Sequence, residues 1–474
     1  MPMEDIQHIV VLMLENRSFD HMLGDLSLNG RTDVDGLAPG MSNPDPFGGT
    51  AEIQAVTTER FLTDAGHAFL DVKQQLDGVG GQPNQGFVIN YATRFPTEAK
   101  QRKLAPEIMH YQTADTVPVH HWLADEYAIS DRWFCSVPSE TWPNRIFAAA
   151  ATTNGRVKNG LPLYNLPTIF SRLRDKGLEW ACYNDQLPLL TTIIPLAGEY
   201  IRSRHRPKSR FRSMQQFEED CDAGTLREYS FIEPIYLWDA ANDDHPPHDI
   251  EKGQLLAAQV YLAIRRNEEL WKKTVLIITP DEHGGFFDHV PPAEGAFIPA
   301  PALPPGTTPP FGFDFHRLGP RVPLILVSPW ASKRSVFRPA ANEFFDHTSL
   351  IRSAAVRWDL EPLTARDEGA RDFWAALDLA EPRTDDTDTF DAIDIWYRKT
   401  RPKTLSADAM EENELVGMDG RSVASLIARE GQARTLAIED EVPSELQLSV
   451  QELAAEIDAR ADELEATAVV EAEA

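Results

Sequence analysis

Apolar and polar positions follow two different rhythms along this chain. Short unbroken aliphatic runs, His8-Ile9-Val10-Val11-Leu12-Met13-Leu14 and Thr274-Val275-Leu276-Ile277-Ile278-Thr279, are too short for helices and end in turn residues, so they predict strands buried on both faces. Val322-Pro323-Leu324-Ile325-Leu326-Val327-Ser328 predicts another. Longer stretches carry the helical period instead. From Gly253 to Arg266 the residues Leu255, Leu256, Val260 and Ile264 fall on one face, and Thr348 to Trp358 follows the capping residues Asp346 and Thr348. Over residues 1 to about 400 this alternation predicts an α/β fold, a parallel or mixed sheet covered by helices on both faces.

Two segments break the rhythm. Between Pro291 and Pro320 the chain is dense in proline, which makes it stiff and unfit for a sheet interior. Since it leaves the turn after the Thr274–Thr279 run, it reads either as a wall or lid over a pocket or as a plain surface connection. Residues 401–474 form an acidic extension in which Pro443 to about Thr467 predicts one helix, opened by Ser444 and Gln447 as a capping box, with Leu446, Val450, Leu453, Ile457 and Leu464 on one side. Such a helix docks on the body, mediates self-association, or remains a solvated tail.

Composition narrows the classes of function. The formal net charge is −29, and residues 401–474 hold 18 acidic against 6 basic side chains, 12 of that excess. The field repels nucleic acid and strongly anionic membranes. No apolar stretch is long enough to span a bilayer. The first strand begins so early that no room is left for a signal peptide, and the three cysteines, Cys135, Cys182 and Cys221, show no CxxC spacing. The expectation is a cytoplasmic protein with free thiols, with export by a signal-independent route as the alternative.

The candidate chemistry sits where strands end. Glu15-Asn16 follows the first run and Asp281-Glu282 the second, 266 positions apart, and ligands in open α/β sheets collect outside the carboxyl ends of strands. Two oxygen-bearing pairs there make a hard pocket suited to a divalent metal and a phosphate. The His283-Gly284-Gly285 that follows allows a tight turn and a close backbone approach. A hydroxyl comes from Ser136-Val137-Pro138-Ser139-Glu140-Thr141-Trp142-Pro143-Asn144-Arg145, a turn that runs into a helical pattern whose amino terminus favours an anion. By position alone, the Thr141 hydroxyl is as suited to capping that helix as to attacking phosphorus. His67 and His245 lie in polar turns, where each suits phosphate contact, proton transfer or a structural hydrogen bond. His289 and His347 each follow an aspartate, a pairing that braces loops.

Taken together, LENRSFDHMLG (14–24), DAGHAF (64–69), DRWFCSVPSETWPNR (131–145), FIEP (231–234), NDDHPP (242–247), PDEHGGFFDHVPP (280–292), GPRVPLILVSPW (319–330) and FDHTSLIR (345–352) resemble a phosphoesterase family. It comprises bacterial and plant non-specific and phosphatidylcholine-preferring phospholipases C and related acid phosphatases. The resemblance implies an alkaline-phosphatase-like α/β/α sandwich over residues 1–400. It implies that Glu15, Asn16, Thr141, Asp281 and Glu282 hold a divalent metal, whether calcium, magnesium, manganese or zinc. It further implies that Thr141 is the nucleophile and that His67 and His245 assist at the phosphate. Threonine two residues before Pro143-Asn144 is similar to the phospholipase branch, so the expected activity is phosphodiester cleavage of phospholipid with transient contact to zwitterionic membrane surfaces. Phosphomonoesterase activity and a catalytically weak binding or effector role are the alternatives. The chain departs from the family's usual glycine-proline lead at Ser139-Glu140. That places a carboxylate beside Thr141 and makes Ser139 a second candidate hydroxyl.

Overall fold

The computed structural model describes residues 2–56, 63–78, 82–159, 164–186, 188–203, 209–236 and 240–401. One compact unit comprises Met1–Asn159, Pro167–Leu189 and Phe211–Arg401. A second comprises Gly160–Leu166, Leu190–Arg210 and Pro402–Ala474, and its described residues include a helix, Ile194–Ser203, and an Arg210–Glu199 ion pair at 2.8 Å. The acidic helix expected at 443–467 lies outside the described residues, as does the rest of the extension beyond Arg401.

The first unit is built on a seven-stranded sheet. Its strands in chain order are β1 (His8–Leu14), β2 (Ala128–Ser130), β3 (Trp180–Tyr183), β4 (Phe211–Arg212), β5 (Tyr229–Ile232), β6 (Thr274–Pro280) and β7 (Leu324–Val327). The spatial order is β2-β7-β6-β1-β5-β3-β4, parallel except that β7 runs against both its neighbours, so the sheet is mixed. β1 and β6 pair residue for residue, from His8 opposite Thr274 to Leu14 opposite Pro280. That register brings the turns after both strands out side by side.

Helices bury each face of the sheet. Val10, Leu12 and Leu14 of β1 share a core with Leu276 and Ile278 of β6 and with apolar residues of three helices, Pro118–Glu126, Ile250–Arg266 and Thr387–Thr400. On the opposite face Phe170, from the helix Ile169–Asp175, packs its ring 4.7 Å from Trp180 and 6.3 Å from Phe231. Each fully buried aliphatic or aromatic side chain is worth about 1.5–3 kcal/mol, which is why the uninterrupted runs take the centre. The helix expected from Gly253 starts earlier, at Ile250, because Asp249 caps it by accepting from the Glu251 amide at 3.1 Å. Thr348–Trp358 is helical as expected, and Asp346 Oδ1 accepts from the Thr348 amide at 2.8 Å. All three cysteines are free and buried, and among the described residues no helix is long and apolar enough to cross a membrane.

The proline-rich loop is closed at its neck by the Leu318 amide donating to Ala293 O and the Gly295 amide to His316 O. Beyond it a buried ion network ties the segment after β1 to the segment before β7. Arg321, fully buried, donates to Asp288 Oδ1 at 2.8 Å, to Asp20 Oδ1 at 2.9 Å and to the carbonyls of Asp35 and Asp131. His289 completes it through Asp20 Oδ2 at 2.7 Å, the bracing role expected of an Asp-His pair. Although Asp20, Asp288 and His289 lie close enough together to hold a cation, the guanidinium already supplies the positive charge there.

Candidate active site

The two strand-end turns are stitched together by backbone and carboxylate. The Asp281 amide donates to Leu14 O at 3.0 Å, the Asn16 amide to Asp281 Oδ1 at 3.2 Å, and the Arg17 amide to Glu282 O at 2.9 Å. Asn16 takes a left-handed conformation, φ 59, tolerable for asparagine. Gly284, at φ 63, faces it so closely that a Cβ would come 2.3 Å from Asn16 O. A Gly284→Ala variant is therefore expected to lose roughly 2–4 kcal/mol of stability, from backbone strain and the clash together. Its urea midpoint checks this, and an unchanged midpoint would refute the close approach.

Glu15, Asn16, Asp281 and Glu282 are all buried, so three carboxylates are held out of water at the two strand ends, although their oxygens do not all lie within 4.8 Å of one another. One buried cation reaches two of them. Arg145, one turn along the helix Thr141–Ala150, donates to Asp281 Oδ2 at 3.1 Å, lies 3.8 Å from Glu15 Oε1, and donates to Met13 O and Leu14 O at 3.0 and 2.9 Å. Burial alone would favour discharging the guanidinium, but the neighbouring acidic groups hold its charge on. Arg145 was missed as a site residue. The available signal was its place four residues after Thr141 on one helix face, inside the same motif.

A second charged group balances Glu282. His67 Nδ1 is 2.7 Å from Glu282 Oε1, and the Asn16 side-chain amide is 3.1 Å from the same nitrogen. Burial would discharge the ring, yet Glu282 and Asp64 outweigh it and push the His67 pKa up to about 10. Burial would likewise raise Glu282, but His67 and His283 hold it well below the usual range. Asp281 goes the other way: burial, with Glu15 and Glu282 adding to it, pushes its carboxyl up despite Arg145. The three carboxyl groups of Glu15, Asp281 and Glu282 thus face two cations, Arg145 and His67.

Supporting bonds hold the loops. Gln75 donates to Gly66 O at 2.6 Å and contacts His283 Nε2 at 2.9 Å, linking the His67 loop to the Asp281–Gly285 turn. The Glu15 amide donates to Asp243 O at 2.7 Å, clipping the loop that carries His245 to the end of β1. The His67 and His245 rings are 5.7 Å apart, and both offer ligand atoms within 4.8 Å of each other and of an Asp64 carboxylate oxygen. Asp64 is a further residue the sequence reading did not single out. His347, which burial keeps neutral with a pKa of about 4, contacts the Asp281 carbonyl and braces that turn.

The structure places the hydroxyls of this turn and the residue that caps the helix. Glu140, not Thr141, takes the N-cap position of the helix, without a side-chain capping bond, and Thr141 is the first helical residue. Among the described residues the buried Thr141 hydroxyl has no hydrogen-bond partner. The Ser139 hydroxyl is committed to Val157 O at 2.5 Å. Asn144 shapes the turn: its Oδ1 accepts from the Val137 amide and its Nδ2 donates to Val137 O, Ser139 O and Glu140 O. Glu140 is half-buried and accepts from the Asn159 amide at 3.2 Å; it lies within electrostatic reach of both His67 and Glu282.

The residues present fit a divalent cation. The donor set at the two strand ends is all oxygen, and the buried Asn16 Oδ1 has no hydrogen-bond partner among the described residues.

The Phosphoesterase family profile matches residues 6–361 of this chain. Non-specific phospholipase C6 of Arabidopsis thaliana is 36% identical over 432 residues, covering 87% of this chain and 79% of that protein. Phospholipase C A of Mycobacterium tuberculosis (strain ATCC 25618 / H37Rv) is 30% identical over 423 residues, covering 80% and 78%. A solved protein of the alkaline phosphatase superfamily from Vibrio parahaemolyticus overlaps 54% of this chain and 63% of its own, with a TM-score of 0.32 at 10% identity. Likeness that slight has no bearing on function.

Proposed function

Given that this chain belongs to the phosphoesterase family, we propose that it is a phosphodiesterase of phospholipase C type, which cleaves phospholipid into diacylglycerol and a phosphorylated head group. Hydrolysis of phosphoric ester bonds follows from the family; the choice of a diester as substrate rests on the relatives' phospholipase C names. The observation that carries the mechanism is the unpartnered Thr141 hydroxyl at a helix amino terminus, in the same motif as the Arg145 that donates to Asp281.

Glu15, Asn16, Thr141, Asp281 and Glu282 would hold a divalent metal ion. When bound, such an ion supplies Lewis-acid polarisation of a phosphoryl oxygen and lowers the pKa of a hydroxyl. The rest falls to the protein. Thr141 Oγ1 attacks phosphorus in line, losing its hydroxyl proton to solvent and forming its own O–P bond as the bond to the diacylglycerol oxygen breaks. The Thr141 N–H at the start of the helix offsets charge on the phosphoryl oxygens, since the Trp142 N–H is bonded to Asn159 Oδ1 and Pro143 has none. His67, held charged by Glu282 and Asp64, steadies the same oxygens, and His245 gives the departing oxygen its proton. Water then releases the phosphorylated head group from Thr141 and restores the hydroxyl.

The test is hydrolysis of para-nitrophenyl phosphorylcholine and para-nitrophenyl phosphate after chelation and after return of single divalent metals. Metal-restored turnover that favours the diester is expected. Preference for the monoester would sink the diesterase reading, and failure on both esters would favour a protein that binds without cleaving.

Glu140 sharpens that choice. Its carboxylate stands in the field of the site and opposes a phosphate dianion more than a diester monoanion. Glu140→Gln is expected to raise kcat/KM for para-nitrophenyl phosphate about three- to tenfold relative to the phosphorylcholine ester. An unchanged ratio would show that Glu140 is electrostatically silent in turnover.

A further inference from the structure

Three large apolar side chains are exposed among the described residues, and two of them, Leu70 at 54% and Phe311 at 48%, are linked through Phe69, the chain neighbour of Leu70 and the stacking partner of Phe311. Phe311 lies flat on Phe69, with ring centroids 5.2 Å apart and planes within 8°. Leu70 follows Phe69 in the first turn of the helix Phe69–Asp77, and Phe69 is only two residues past His67. Beneath this pair, Phe313 packs on Phe69 at 5.1 Å and on Phe315 at 4.7 Å, and Phe315 stacks on Phe147 at 6.1 Å. Phe147 belongs to the helix that opens with Thr141. An aromatic ledge therefore runs from the outer surface to the helix carrying the candidate nucleophile.

Burial does not explain why Phe311 is where it is. Its backbone adopts φ 61, a left-handed conformation that a bulky residue rarely takes, and its ring remains half in water. The proline-rich loop presents this ring outward, beside the exposed side chain of Lys158, whose Nζ is 5.2 Å from the ring centroid. Apolar side chains edged by a lysine suit the boundary between acyl chains and phosphate head groups. A small soluble phosphoester needs no such ledge, whereas a lipid must be reached at the surface that holds it.

We propose that Leu70, Phe311 and Lys158 form a docking ledge that seats the active site on the surface of a zwitterionic phospholipid bilayer. The two apolar side chains enter the acyl boundary and Lys158 meets lipid phosphate. The overall charge of −29 selects against strongly anionic membranes, so Lys158 acts at short range. This rests on the diesterase reading and adds to it how the substrate is approached.

Full-length wild type, the double variant Leu70→Ser/Phe311→Ser and Lys158→Gln are compared in sedimentation with phosphatidylcholine vesicles, and in turnover of those vesicles and of soluble para-nitrophenyl phosphorylcholine. The double variant is expected to lose at least about tenfold in vesicle binding and vesicle hydrolysis, with soluble turnover within about twofold of wild type. Lys158→Gln is expected to lose about threefold on vesicles alone. Unchanged sedimentation together with an unchanged vesicle-to-soluble ratio overturns the ledge. So does a double variant that alters only self-association of the protein, since the patch then belongs to a second copy. Wild type that sediments with vesicles through these residues, yet cleaves neither ester, supports the ledge and overturns the diesterase reading.

Discussion

Replacing Thr141 by alanine is expected to lower turnover of para-nitrophenyl phosphorylcholine by roughly 10⁴-fold or more while leaving the fold and the bound metal in place. The side chain contributes little to stability: among the described residues its hydroxyl has no partner, and capping is not its role, because Glu140 holds the N-cap position. The remaining donors of Glu15, Asn16, Asp281 and Glu282 are anchored by bonds that do not involve Thr141. The variant thus separates attack from binding. Metal content by elemental analysis, thermal midpoint and turnover are measured together. Loss of activity with metal and midpoint retained assigns the nucleophile; near-normal turnover would rule Thr141 out. Ser139 is a poor substitute, since its hydroxyl is bound to Val157 O.

The second large effect is on stability. Arg321→Met is expected to destabilise the protein by about 3–5 kcal/mol, because it leaves Asp288 buried without its guanidinium and Asp20 with His289 alone. Asp288 already feels the strain of its surroundings, since burial raises its carboxyl and Arg321 is the principal group opposing that shift. The urea midpoint of the variant, with and without chelator, is the measurement. A midpoint equal to wild type would refute the network's role, and a loss reversed by added divalent metal would mean that Asp20, Asp288 and His289 form a cation site after all.

Much of the candidate site was legible in local sequence because its residues sit at places that local rules mark. An uninterrupted aliphatic run followed by Glu15-Asn16, and another followed by Asp281-Glu282-His283-Gly284-Gly285, locate strand ends without any knowledge of how the strands pair. The helix Thr348–Trp358 was legible for the same reason, with Asp346 bonding its first turn. The start of Ile250–Arg266 was less so, because Glu251 and Lys252 interrupt the apolar stripe while Asp249 caps the helix. Arg145 and Asp64 were not legible as site residues. An arginine in a helix is ordinarily a solvated charge, and only the packing of Thr141–Ala150 against the ends of β1 and β6 removes this one from water and aims it at Asp281.

The sequence by itself determined the alternation of strands and helices, the strand-end turns with their oxygen donors, and the motifs that identify the family. Those are properties of neighbouring residues: periodicity, turn chemistry and composition. The tertiary structure alone decided that β7 runs against its neighbours, that Arg145 reaches both Glu15 and Asp281 while Arg321 ties Asp20 to Asp288, and that Glu140 rather than Thr141 caps the helix. Those depend on parallel register between strands more than 260 residues apart, and on which charges the core withdraws from water, a balance that only the assembled neighbours set.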